Sequence, residues 1–492
     1  MKNFSKSRLV SLRQCPRRFW LELYRPELKT DSPQTQQIFK TGHLVGDIAR
    51  RLFDPEGVGA LVDLNQLGFE QALLTSEHLL RGDRPIFEAG LSGGGVLAFA
   101  DIMLPAGRPG SWHMVEVKSS TSVKDYHQDD IAIQTFAARA TGVHLESVSL
   151  AHIDSSWTYP GEQDYRGLLK RQDLTRQALA RQDEVAQWVQ QAQAVAQCTR
   201  EPDIAIGAQC SSPFACSFIA HCSEGVQTAE YPLQWLPRIS AKVREELEAV
   251  GITDLRHAPD SKLTETQQRV KQASVTGQPY FDAHGAAKDL ARYPLPCQFL
   301  DFEAVQFGVP IWAGTRPFQQ ICFQFSLHTL HTDGHLDHQE YLDLSGADPS
   351  AAFAQALIAA CGAEPRTIFV YNAGFEKTRI GELAERFPDL TAPLQALKDR
   401  IVDLMPIVKN RYYHPRQEGS WSIKNVLPVL VPELKYSDLD GVQDGTLAIL
   451  AYQEAIAPYT TAARKQEIER QLRQYCQLDT YSMVKIWQAF AR

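Results

Sequence analysis

No apolar run in this chain of 492 residues approaches the roughly 18–20 residues that a membrane-spanning helix requires, so no membrane partner is expected. The N-terminus, Met1-Lys2-Asn3-Phe4-Ser5-Lys6, is basic but lacks the apolar stretch and small-residue cleavage site of a secretory signal. A cytoplasmic protein is therefore expected. Basic charge is also in short supply. Lys and Arg number 50 against 58 Asp and Glu, a net charge of −8, which argues against a protein that coats nucleic acid non-specifically. A nuclease stays open, because its basic groove is local and its metal sites are themselves acidic. Internal repeats and low-complexity tracts are missing too. What is there, 44% hydrophobic and 22% charged residues, is the make-up of a globular chain with room for two or three domains.

Nine cysteines in a cytoplasmic chain do not point to a disulfide framework. Cys210, Cys216 and Cys222 are evenly spaced among Ser, Pro and Gly, while Cys15 lies far upstream. Cys198, Cys297, Cys322, Cys361 and Cys476 are scattered through apolar or helical context and read as small buried hydrophobes.

The periodicities predict helix over residues 1–60, strands from Pro85 to Lys118 broken by a Pro/Gly loop, helix over 126–140 and a strand at Val148–Ile153. A long helix is predicted over 163–197. Residues 226–294 read as a helical linker, with Gly251 to Leu255 also compatible with the turn of a helix-hairpin-helix. Strands follow at Phe299–Glu303, Gln320–His328, Glu340–Leu344 and Thr367–Tyr371, with a helix over 349–361 and mostly helix thereafter.

Side chains two apart on a strand share a face, so Glu116 and Lys118 point the same way, and a hairpin could bring Asp101 beside them. Two carboxylates and a lysine are the minimum for holding a hard divalent cation and stabilising a developing phosphorane charge. Alone, this pattern is equally an ordinary strand with a cross-strand ion pair. Its surroundings resemble the PD-(D/E)XK superfamily, in particular the RecB-like nucleases that include the CRISPR-associated exonucleases. Cys15-Pro16-Arg17-Arg18-Phe19-Trp20 looks like their N-terminal cysteine motif, Ala100-Asp101-Ile102 and Val115-Glu116-Val117-Lys118 like their metal and lysine motifs, and Gln134 like their glutamine motif. The resemblance implies catalytic roles for Asp101, Glu116, Lys118 and Gln134, with Asp101 and Glu116 as metal ligands. Arg17 and Arg18 are taken as substrate contacts. Gly46 stands where that family has histidine, and His43 or Glu88 is the candidate replacement ligand. Cys15, Cys210, Cys216 and Cys222 resemble the family's cysteine quartet. They imply a 4Fe-4S cluster stapling the two ends of the domain, with zinc equally served on ligand count alone.

Asp301 and Glu303 again place two carboxylates on one strand face, among Phe299, Leu300 and Phe302, where they have to be solvated or metal-bound. Tyr475 and Asp479, four apart, share a helix face. With Asn372 and Glu376 between, the set resembles the DEDD exonucleases of the ribonuclease H-like fold, in their tyrosine subclass. The resemblance implies Asp301, Glu303, Glu376 and Asp479 as ligands of Mg²⁺ or Mn²⁺, and Tyr475 as the residue that positions the attacking water. Glu376 replaces the usual Asp, and Asp403 is an alternative ligand. Asn372 and Lys424 are expected to touch substrate, with Tyr412, Tyr413 and His414 nearby.

The pairing resembles a bacterial family that fuses a RecB-like domain to a ribonuclease H-like domain. It implies an α/β chain with a restriction-endonuclease-like domain over 1–225, a linker over 226–294 and a ribonuclease H-like domain over 295–492. The leading expectation is a two-site, metal-dependent exonuclease on single-stranded DNA ends, with DNA ahead of RNA as the nucleic-acid partner. An RNA-processing 3′ exonuclease with a binding-only N-terminal domain, and an iron–sulfur nucleic-acid-binding protein with decayed sites, stay open.

Overall fold

The structure, a computed structural model, describes residues 2–30, 33–226 and 228–492. Residues 1, 31, 32 and 227, which fall in the stretches expected as N-terminal helices and linker, lie outside it. The fold is mixed α/β, and none of the described helices is long and apolar enough to cross a membrane. Two compact units form: Met1–Val226 with Phe307–Gln319, and Gln227–Gln306 with Gln320–Arg492.

In the first unit, α1 (Lys6–Gln14), α2 (Pro16–Tyr24), α3 (Pro33–Phe53) and α4 (Asp125–Ala140) accompany a seven-stranded sheet. Its strands are β1 (Phe4–Ser5), β2 (Ala60–Leu61), β3 (Ile86–Gly93), β4 (Val96–Pro105), β5 (Ser111–Lys118), β6 (His144–Ile153) and β7 (Leu169–Asp173), ordered β2-β3-β4-β5-β6-β7 with β1 beside β4. Strand alternation divides the core. Trp112 and Met114 of β5 pack with Ile131 and Ile133 of α4, whereas Val115 and Val117 join Ala49, Val45 and Ile48 of α3. The long helix expected over 163–197 is a correction. Leu169–Asp173 is an edge strand paired antiparallel to β6, and the helical part is split into Thr175–Ala180 and Gln182–Val195. Backbone pairing with an open sheet edge outweighs the helix propensity of Lys170, Arg171 and Gln172, whose side chains stay exposed.

Phe307–Gln319, which sequence order puts among the C-terminal strands, packs in the first unit. Val309 sits with Val45, Ile48, Ile153 and Leu168, and Tyr159 and Thr315 are joined by a backbone hydrogen bond of 2.9 Å.

The second unit has a five-stranded sheet of β8 (Cys297–Val305), β9 (Ile321–Leu330), β10 (Leu336–Leu342), β11 (Ile368–Val370) and β12 (Ile401–Asp403), ordered β10-β9-β8-β11-β12. The first three are antiparallel, and β11 and β12 run parallel to β8. The strand read at Glu340–Leu344 starts earlier, because β10 zips along β9 from Leu336. Helices α5 (Gly374–Arg386) and α6 (Ala462–Phe490) frame the central strand. Leu300 and Phe302 face Phe353 and Ile380, while Phe299 on the other face packs with Trp487 of α6. The stretch expected as a linker contributes Leu233, Leu236, Leu255 and Val270 to the core that holds Phe299.

Its fit is tight. Gly419 has φ +77°, and a Cβ there would lie 1.9 Å from the Trp235 carbonyl oxygen. Gly419→Ala is therefore expected to destabilise the second unit by more than about 2 kcal/mol, read as a drop in thermal midpoint. An unchanged midpoint would mean that Trp235 is not seated there.

Candidate active sites

The β4–β5 register pairs Ile102 with Val115, so the next position sets Asp101 across from Glu116. Asp101 Oδ2 accepts a hydrogen bond from the Val117 amide at 2.6 Å. Glu116, 1% exposed, lies on the face covered by α4, where Gln134 Nε2 donates to its Oε2 at 2.5 Å. Lys118 Nζ donates to Glu116 Oε1 at 2.6 Å and pairs closely with Asp130. Lys6 Nζ reaches the same Glu116 Oε1 at 2.8 Å and lies 3.4 Å from Asp130 Oδ1. The result is a closed square of two ammoniums and two carboxylates. Burial alone would raise the Glu116 carboxyl, but Lys118 and Lys6 hold it well below the usual carboxylate range. Asp101 lacks such contacts, and burial followed by the neighbouring Glu116 charge pushes it well up.

Glu88 sits across from Asp101, between the paired positions Phe87–Ile102 and Ala89–Ala100. It has φ +56°, uncommon for a residue with a side chain. Ile86 and Ala89, three apart, share one core cluster and Phe87 joins another, so the in–out alternation of β3 resets at Glu88. Burial and the Glu116 charge raise the Glu88 carboxyl. His43, the other candidate replacement for the missing histidine, is exposed on α3.

The four quartet cysteines line one small cavity with Arg17, Arg18 and Leu21. Cys15 caps the C-terminus of α1, and the Cys216 amide donates to the Cys210 carbonyl at 2.8 Å. All four thiols are free. Arg17 pairs with Glu201 at 2.9 Å and Arg18 with Glu22 at 3.0 Å, so both guanidiniums are committed beside the cysteines rather than beside Glu116.

In the second unit, carboxylate oxygens of Asp301, Glu303 and Asp479 all lie within 4.8 Å of one another, a grouping able to hold a metal ion and the only such acidic or thiol group among the described residues. The two strand acids follow from alternation on β8. Asp479 is delivered by α6, which is fastened across β9: Thr480 Oγ1 meets Ser326 Oγ at 2.7 Å and His328 Nδ1 at 2.8 Å, and Gln324 Nε2 donates to the Leu472 carbonyl at 2.9 Å. Ser326 is the register partner of Asp301, so this clamp sets the helix at the right height.

Burial, then the charges of Asp479, Glu303 and Glu376, push Asp301 well up. Burial and Asp479 push Glu303 up to about 8. Glu376, 2% exposed at the start of α5, is pushed up to about 8 by burial, and its Oε2 has no hydrogen-bond partner. Asp479 rises to about 6, burial being offset by a 2.5 Å hydrogen bond from Tyr436 Oη and by Lys424. Tyr475 is buried beside these acids, which with burial keep its hydroxyl protonated. Lys424 Nζ sits 5.3 Å and 5.2 Å from the ring centres of Tyr436 and Tyr475 and donates to the Gln443 carbonyl. Asn372 is left-handed at φ +76° and exposed. Asp403, the alternative ligand, accepts from the Asn372, Ala373 and Met405 amides, so its oxygens are spent on backbone.

Three residues here escaped sequence reasoning. Lys6 is distant from the other first-site residues in sequence, and no local pattern marks Tyr436. Asp130 had a signal, one helical turn before Gln134. Residues 298–422 match a family described as Domain of unknown function (DUF2779). The match takes in Asp301, Glu303 and Glu376 and stops before Asp479. No curated protein and no solved structure matches the chain.

Because Glu303, Glu376 and Asp479 hold protons more tightly folded than unfolded, their metal-free stabilisation is complete below about pH 4 and is lost as pH rises toward about 8. Asp301→Asn with Glu303→Gln is expected to melt higher than the parent in EDTA, by a gap that widens from pH 5 to pH 8. A gap constant with pH would show that the cluster carries no such strain.

Proposed function

We propose that this protein is a metal-dependent nuclease that hydrolyses phosphodiester bonds in nucleic acid, DNA ahead of RNA, with its stronger site at Asp301, Glu303 and Asp479. The observation that carries this reading is the convergence of those three carboxylates, with one oxygen of Glu376, Oε2, unpartnered beside them. Such a donor set of hard oxygens fits Mg²⁺ or Mn²⁺. The chemistry those ions supply is charge stabilisation of the entering and leaving oxygens in an in-line displacement. Tyr475, kept protonated and beside Asp479, is suited to orient a water, and Lys424 adds positive charge for a phosphate. Two acids on a central strand and one on the last helix favour the ribonuclease H-like reading of this unit, and the Asp101, Glu116, Lys118 and Gln134 constellation favours the PD-(D/E)XK reading of the first.

End-labelled single-stranded DNA and RNA with Mg²⁺ or Mn²⁺ test this directly. Asp301→Ala with Glu303→Ala is expected to lower digestion at least about 10²-fold, and Lys118→Ala to remove only a smaller residual activity. Full activity in the Asp301/Glu303 variant would sink the assignment of the stronger site.

For the cysteine quartet we favour a 4Fe-4S cluster over zinc. A tetrahedral zinc with bonds of about 2.3 Å draws its sulfurs to within roughly 4 Å of one another, whereas no three of these thiols come within 4.8 Å together. Cys15 would then tie α1 to the Cys210–Cys222 segment. Cys15→Ala is expected to lose iron and to melt the first unit earlier, by several degrees. Unchanged iron content and melting would remove Cys15 from the ligand set.

A further inference from the structure

We propose that Lys6 is a built-in competitor for the divalent cation at the first site, so that a cation reaches Glu116 only by displacing the Lys6 ammonium. This rests on reading Asp101, Glu116 and Lys118 as a cation-dependent site.

The geometry is specific. Glu116 accepts from Lys6 and Lys118 on Oε1, at 2.8 and 2.6 Å, and from Gln134 on Oε2 at 2.5 Å. An ionised carboxylate offers about four acceptor positions, so three are already used. Lys118 alone meets the lysine requirement of the site, which makes Lys6 a second ammonium on the same Glu116 oxygen, placed where a cation would bind. Nor is Lys6 a mobile surface lysine. Its side chain is 18% exposed, and it opens α1, which is fixed at both ends. Phe4 is fully buried and pairs with Val96 on one side of the helix. On the other, Gln14 donates to the Gln209 and Phe214 carbonyls at 2.7 Å, next to Cys15. The helix that begins with Lys6 therefore ends on the cysteine-lined cavity. A purely structural square would neutralise Glu116 and Asp130 without affecting cation binding; competition makes a different demand, that removing Lys6 tighten it.

The test uses the full chain carrying Asp301→Ala and Glu303→Ala, so that only first-site binding is read, and titrates Mn²⁺ by the paramagnetic resonance of the free ion at low salt. Glu116→Gln identifies the first-site ion as the one it abolishes. Lys6→Met is expected to tighten that binding at least about tenfold, since a full like charge a few ångströms away is removed, and Lys6→Arg, which keeps the charge, is expected not to. Should Lys6→Met fail to fold by circular dichroism, Lys6→Met with Asp130→Asn keeps the square neutral and is expected to bind more tightly than Asp130→Asn alone. Glu116-dependent binding that is unchanged or weakened on losing Lys6 overturns the proposal and leaves the site reading intact. Absence of Glu116-dependent Mn²⁺ binding in every variant overturns both.

Discussion

Carboxylates gathered within 4.8 Å inside a protein repel by roughly 3 kcal/mol or more per pair at an effective dielectric of about 20. Asp301, Glu303 and Asp479 are under this constraint, with Glu376 adding to it. Folded proteins are marginally stable in general, so such a group persists only with a counter-charge or retained protons. Burial first, with this repulsion added at Asp301 and Glu303, raises the carboxyls when no metal is bound, and the surrounding elements hold the acids together against it. Thr480 pins α6 to β9, Tyr436 donates to Asp479, and Lys424 provides a nearby positive charge.

The first site resolves the same problem differently. Its most buried carboxylate, Glu116, is met by two lysines and an amide, so it stays ionised while Asp101 and Glu88 are pushed up. One unit thus holds acids short of positive charge, and the other holds an acid with its positive charge already supplied. This contrast, rather than the count of motif residues, is why the second site is assigned the stronger cation-dependent chemistry.

Much of this was legible in the sequence, for identifiable reasons. Period-2 alternation put Asp301 with Glu303 and Glu116 with Lys118, and i, i+4 spacing put Tyr475 with Asp479, because strand and helix geometry decide such faces locally. Cys210, Cys216 and Cys222 stand out by their even spacing, Cys15 joins them only through the family resemblance, and the four thiols line one cavity. Contacts across long sequence separations left no trace. Lys6 meets Glu116 across more than a hundred residues, and Tyr436 reaches Asp479 from a single 3-10 turn too short to show a periodicity. Edge pairing hid β7 inside a helix-like composition, and the packing of Val309 with Ile48 could not be read from order along the chain. Arg17 and Arg18 carried the look of substrate contacts, but their partners Glu201 and Glu22 are visible only in three dimensions.

The chemistry proposed for the second unit depends on a divalent cation at Asp301, Glu303 and Asp479. Anomalous diffraction from crystals soaked in Mn²⁺ tests it most directly. A manganese peak is expected in contact with these three carboxylates, lost when Asp301 and Glu303 are replaced by alanine. Manganese bound elsewhere in the chain with no density at this cluster would contradict it.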